Sequence, residues 1–109
     1  MKRRLPIMLT LEQRLVVVVG GGAVAARRVP QLFDAGATVT VIAVKLHPTL
    51  RKLYEKGQLQ WEQRQVQPNE HFHADVLMLM TDDRELNESL YRQRRQHQFV
   101  YRADAAEKK

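Results

Sequence analysis

Five apolar residues, Leu15-Val16-Val17-Val18-Val19, run straight into three glycines, Gly20-Gly21-Gly22, and no other feature constrains the chain as much. The run is β-branched and alternates with nothing polar, so it reads as a strand buried on both faces. That places it in the middle of a parallel sheet. After the glycines the spacing turns helical, with Val24, Val29, Leu32 and Phe33 apolar and Gly36 as a stop after Ala35. A buried strand that breaks at glycine and re-emerges as a helix is the opening unit of an α/β domain.

The rest of the chain repeats the alternation. Thr38–Ala43 reads as a second strand, and Pro48 opens a short helix through Leu50, Leu53 and Tyr54 that Gly57 ends. Leu59–Val66 is a third strand, more polar and so nearer an edge. Residues 68–73 form a loop or a helical turn, and Ala74–Met80 is again fully apolar. Thr81-Asp82-Asp83 then opens a helix to about His97, with Asp82 and Glu85 spaced for reciprocal capping, and Phe99–Tyr101 is the last strand. Right-handed crossovers turn this order into a Rossmann-like, doubly wound, mostly parallel five-stranded sheet with helices on both faces. One residue opposes the pattern: Pro30, inside the first helix, is expected to kink or divide it.

A chain of 109 residues with 44% hydrophobic content suits one domain, here residues 1–109. Without cysteine it has no disulfide, thiolate metal site or cysteine nucleophile. The four histidines show no paired helical zinc spacing, so no metal site is expected. Met1-Lys2-Arg3-Arg4 resembles the start of a signal peptide, but Pro6, Glu12, Gln13 and Arg14 break the apolar stretch behind it. No apolar run is long enough to span a membrane, and a cytoplasmic location is expected. The net charge of +6 favours an anionic partner. With 6% aromatic residues and no nucleic-acid motif, that partner is not expected to be nucleic acid.

Gly20-x-Gly22-x-x-Ala25 sits where a dinucleotide fingerprint belongs, between first strand and first helix. Gly20 permits the sharp turn, Gly22 lets a pyrophosphate approach the backbone without meeting a Cβ, and Ala25 keeps helix and strand close. The phosphates would face the free N–H groups and positive end of the helix. The candidate cofactor-binding set is Gly20, Gly21, Gly22, Ala23, Val24, Ala25, Ala43, Lys45, Thr81 and Asp82. NAD-specific folds usually place an acid after the second strand to hold the ribose hydroxyls, yet here the segment is Ile42-Ala43-Val44-Lys45. Backbone groups must hold the ribose, or Lys45 favours a 2′-phosphate, so NAD is expected with NADP not excluded.

Several separated pieces together resemble one family. They are Leu5-Pro6, the stretch Gly20-Gly21-Gly22-Ala23-Val24-Ala25-Ala26-Arg27-Arg28, the stretch Ala35-Gly36-Ala37-Thr38-Val39-Thr40-Val41, and Thr81-Asp82-Asp83 with Asn87. In this order and spacing they resemble the N-terminal domain of siroheme synthases, the precorrin-2 dehydrogenase and sirohydrochlorin ferrochelatase family. The resemblance implies NAD-dependent oxidation of precorrin-2 to sirohydrochlorin, and some members also insert ferrous iron. It implies a catalytic role for Asp104, which falls where the family carries an aspartate in a segment like Asn-Val-Val-Asp-x-Pro. It also implies an anionic tetrapyrrole as substrate or ligand, for which Arg27, Arg28 and Arg102 are plausible contacts or simply solvated surface. Family members continue into a helical dimerisation region that this chain is expected to lack, which leaves a truncated relative of the enzyme with a homodimer or a partner protein as the candidate assemblies. The alternative is a non-catalytic NAD(P)-binding sensor or partner module.

The remaining candidates have plainer readings. His71 and His73 are expected to be polar surface, Trp61 to pack on the sheet, and Met78 and Met80 to lie in the core. Arg92, Arg94 and Arg95 are expected on an exposed helix face.

Overall fold

The computed structural model describes residues 5–103. Five strands, β1 (Leu15–Val19), β2 (Thr38–Ile42), β3 (Gln60–Glu62), β4 (Val76–Leu79) and β5 (Phe99–Arg102), form one sheet in the order β3-β2-β1-β4-β5. Every pairing is parallel, so the mostly parallel sheet of the sequence reading is wholly parallel. The register sets Val17 between Thr40 and Leu77. β1 is central, and Val16 to Val19 are all buried, as an unalternating valine run requires.

The two faces are closed differently. α1 (Ala23–Asp34) and α2 (Pro48–Glu55) cover one face, where Val16 and Val18 meet Ala25, Val29, Leu32 and Leu50. On the other, α3 (Arg84–Arg92) shares the work with an irregular segment. There Val17, Val19 and Ile42 pack with Leu90 from the helix and with Phe72 and Ala74 from the connection between β3 and β4. A buried irregular backbone needs partners for its carbonyls. Gln98 supplies two, its Nε2 donating to the Phe72 carbonyl at 2.7 Å and the Ala74 carbonyl at 3.1 Å. Ser89 Oγ donates to the Pro68 carbonyl at 2.8 Å.

Some boundaries differ from the sequence reading, each for a physical reason. α1 runs unbroken through Pro30. A proline φ is itself helical, one hydrogen bond is lost, and Val29 and Leu32 on either side are anchored in the core. α3 stops at Arg92 rather than near His97, closed by the Gln93 N–H on the Ser89 carbonyl and the Arg94 N–H on the Tyr91 carbonyl. Arg94 and Arg95 therefore lie beyond the helix rather than on its face, and the Arg94 guanidinium sits 3.9 Å from the centre of the Tyr91 ring. β3 shortens to three residues at the sheet edge. Met78 and Met80 are core, as expected. Asp104 lies outside the described residues.

Candidate dinucleotide crevice

The loop after β1 leads to α1 on one face, and the loop after β4 leads to α3 on the other. Neighbouring strands whose connections diverge in this way open a crevice at their carboxyl ends. A cavity of about 850 Å³ lies there. Its lining includes Gly20, Gly21 and Gly22 after β1, Ala43 to His47 after β2, Arg64 to Pro68 after β3, and Thr81, Asp82 and Asp83 after β4. Gly20 to Gly22, Ala43, Lys45, Thr81 and Asp82 of the candidate set thus come together on one cavity.

The three glycines are not equivalent. Gly20 adopts φ +119°, a region costly for any L side chain, and a Cβ there would lie 2.7 Å from the Met80 carbonyl oxygen. A Cβ on Gly21 would lie 2.4 Å from the Lys45 carbonyl oxygen and 2.8 Å from the Ala43 Cβ. These two positions are glycine because neighbouring loops press against them. Gly22 has φ −95°, open to any residue, and no described atom within 4 Å of where its Cβ would stand. Folding does not explain glycine at position 22; room for something approaching from the crevice does.

Helix α1 begins at Ala23, directly behind this gap. Among the described residues no side chain caps it, and its first turn has no acid. The N–H groups of Ala23, Val24 and Ala25 precede the first intrahelical bond, from Ala26 N to the Gly22 carbonyl at 2.9 Å. Their positive end is uncompensated by protein, which suits an anion. The Ala25 side chain is fully buried in the core, where it lets helix and strand approach.

The second wall follows β2. The His47 N–H donates to the Gly21 carbonyl at 2.7 Å, tying this loop to the glycine turn, and His47 Nδ1 caps α2 by accepting from Thr49 N at 3.2 Å. Trp61, half-buried, packs against the core beside the sheet, and its indole N–H donates to the Ala43 carbonyl at 2.8 Å. Arg64, which sequence reasoning did not single out, comes in from the chain after β3. Its guanidinium grips Glu70 with both Nη atoms, at 2.8 and 3.0 Å, and reaches Glu62 at 3.0 Å. This pairing raises the Arg64 pKa and holds the Glu70 carboxyl below its usual range.

The third wall corrects the capping expectation. Asp83, not Asp82, is the N-cap of α3, its Oδ1 accepting from Leu86 N at 3.1 Å. The cap moves by one residue because Thr81 is turned inward: its hydroxyl donates to Asn87 Oδ1 at 2.7 Å while Asn87 Nδ2 donates to the Thr81 carbonyl at 3.0 Å. Asp82 is then exposed at the rim of the crevice. Asp83→Ala should cost about 1 kcal/mol of stability, against a few tenths for Asp82→Ala. Urea unfolding of both variants checks this, and equal losses would contradict the assignment.

The basic residues lie towards β5. Arg28 donates to the Tyr101 hydroxyl at 3.3 Å and covers its ring. Arg102 and Arg92 both bind Glu88, at 2.7 and 2.8 Å, and these hydrogen bonds, that from Arg102 first, lower the Glu88 pKa. Among the described residues no cluster of metal-ligating side chains is present, and no helix is long and apolar enough to cross a membrane.

Comparison with known proteins bears on this site. The family described as "Putative NAD(P)-binding" matches residues 7–109. A siroheme synthase of Zymomonas mobilis is 36% identical over 105 residues, which are 95% of this chain and 22% of that protein. A precorrin-2 dehydrogenase of Bacillus subtilis is 28% identical over 86 residues, 79% of this chain and 53% of that protein. Among solved structures, SirC, a precorrin-2 dehydrogenase, superimposes with a TM-score of 0.79 at 29% identity, covering 89% of this chain and 48% of that one. The chain therefore spans about a fifth of that siroheme synthase and about half of the two precorrin-2 dehydrogenases.

Proposed function

We propose, because this chain belongs to the NAD(P)-binding family and has siroheme synthase and precorrin-2 dehydrogenase homologues over most of its length, that it binds the dinucleotide used to oxidise precorrin-2 to sirohydrochlorin. The observation that carries the reading is Gly22. It leaves space in the crevice that the fold does not need, in front of a helix end that protein groups leave uncompensated.

Gly22 and the first N–H groups of α1 would hold the pyrophosphate, with Gly20 and Gly21 shaping the turn. Ala43 and Lys45 would flank the adenosine ribose and Thr81 and Asp82 the opposite end, where the two halves of the sheet diverge. Bound NAD(P) would supply a hydride acceptor. The Asp104 carboxylate, two residues after β5, would take up the proton that the substrate loses elsewhere as hydride leaves its carbon. Arg27, Arg28 and Arg102 would attract the carboxylates of the tetrapyrrole, in keeping with the +6 charge. The setting would be cytoplasmic, and the assembly a homodimer or a complex with a partner protein.

The single tryptophan reports on the crevice, since Trp61 is bonded to the Ala43 carbonyl. Titration with NAD⁺ or NADP⁺ should change its emission. With NAD⁺ and precorrin-2, sirohydrochlorin absorbance should appear, and Asp104→Ala should abolish it without affecting binding. Binding with no turnover in the unaltered chain would leave a binding module, whether sensor or partner. No binding of either dinucleotide would overturn both readings.

A further inference from the structure

Asn87 is the one fully buried polar side chain among the described residues, and it cannot reach a ligand in the crevice itself. Both ends of its amide are spent on a single residue, Thr81, through that residue's hydroxyl and its carbonyl. The Thr81 hydroxyl also accepts from Asp83 N at 3.1 Å. An amide that satisfies side chain and main chain of one residue fixes it in position and rotation at once. That residue abuts the phosphate cradle, because the missing Gly20 Cβ would stand 2.7 Å from the Met80 carbonyl oxygen and 3.0 Å from Thr81 N. The Met80–Thr81 peptide is thus the surface on which the glycine turn rests.

We infer that Asn87 is a positioning residue for the dinucleotide site: through Thr81 it holds the Met80–Thr81 peptide that supports Gly20, and so sets the shape of the phosphate cradle. The inference rests on the proposed dinucleotide site. Packing alone would not need an amide here, since the other buried residue of α3, Leu90, joins a core that is apolar. The contact path runs from a buried group on α3 to the turn after β1 across the divergence of the sheet, and each link is a hydrogen bond or a direct backbone contact.

The test compares Asn87→Ala, Thr81→Val and Thr81→Ser with Leu90→Ala, which damages the same core without touching the clamp. Affinities for NAD⁺ and NADP⁺ are measured by calorimetry below each variant's melting temperature. Asn87→Ala and Thr81→Val should each weaken binding by about tenfold, and the double variant by no more than the worse single one, as expected of groups acting as a unit. Thr81→Ser, which keeps the hydroxyl, should recover most of what Thr81→Val loses. Leu90→Ala should lower the melting temperature yet leave affinity within about twofold. Wild-type affinity in Asn87→Ala and Thr81→Val, or an equal loss in Leu90→Ala, would overturn the inference. A second readout needs no ligand: Asn87→Ala should shift the amide resonances of Gly20 to Gly22, and Leu90→Ala should not. If the unaltered chain bound neither dinucleotide, the proposed site would fail. The resonances alone would then decide whether Asn87 controls the glycine turn, and unmoved resonances would reject it.

Discussion

Gly22→Val is expected to weaken NAD(P) binding about a hundredfold or more while the protein stays folded. A side chain at this position fills the gap in front of α1 and keeps a pyrophosphate from the N–H groups behind it. Losing two charge-assisted hydrogen bonds at about 1.5 kcal/mol each already amounts to roughly a hundredfold. The fold has little reason to object, since φ −95° is open to valine and no described atom lies within 4 Å. The remaining cost is that of a poorer N-cap, about 1 kcal/mol, or a melting temperature lower by about 4–8 °C. Calorimetric titration with NAD⁺ and NADP⁺ beside a thermal melt separates the two quantities. Unchanged affinity would remove the glycine-turn argument for a nucleotide site.

The neighbouring glycines should behave in the opposite way. Gly20→Ala forces a Cβ into a backbone region that costs about 1–3 kcal/mol and sets it against the Met80 carbonyl. Gly21→Ala places a Cβ 2.4 Å from the Lys45 carbonyl oxygen, so the loop after β2 must move and loosen the His47 N–H bond to Gly21. Overpacking of this kind typically costs about 1–3 kcal/mol, and with backbone strain the loss at Gly20 reaches about 3–5 kcal/mol. For a domain whose total stability is about 5–15 kcal/mol, that is a melting temperature lower by about 12 °C or more. Denaturant unfolding of Gly20→Ala, Gly21→Ala and Gly22→Ala should rank the first two far below the third. Equal stability across the three would mean that the loops around the turn yield more readily than their close approach implies.

This contrast marks how far the chain could be read without its structure. The valine run and the glycines behind it identify strand, turn and helix because each signal is local and strong: a buried strand, a break, a 3.6-residue period. The sequence pattern assigns glycine 22 to a ligand and glycine 20 to the sharp turn, but it leaves glycine 21 in the cradle with no role of its own. Only the packed loops after β2 and β4 show how closely the fold presses on both glycines 20 and 21. The N-cap slipped by one residue because Asp82 and Asp83 are chemically alike, and the choice between them is made by Asn87 turning Thr81 inward from a distance. Asn87 was visible only as a matching letter in a family resemblance, with no physical role. Arg64 and His47 were missed because nothing local marks them. They reach the crevice by the path of the chain after β2 and β3. The irregular cover on the α3 face was also hidden, since Phe72 and Ala74 sit in a segment without period and are held by Gln98, a residue with no signature.

The crevice has no single owner along the chain. Its walls come from loops that close only when β4 has docked beside β1, a junction sealed by the Leu15 N–H on the Asp75 carboxylate 60 residues away. The β1–α1–β2 unit can assemble from near neighbours, whereas the wall beyond Met80 must wait for a distant partner. A dinucleotide would therefore have nothing complete to grip in a half-assembled chain. Saturating it to 100 times its dissociation constant would lend the whole domain about 2.7 kcal/mol, all of it withheld from partly folded forms. Occupancy would then favour only the finished fold, the ligand recognising the β1–β4 junction as a completed surface.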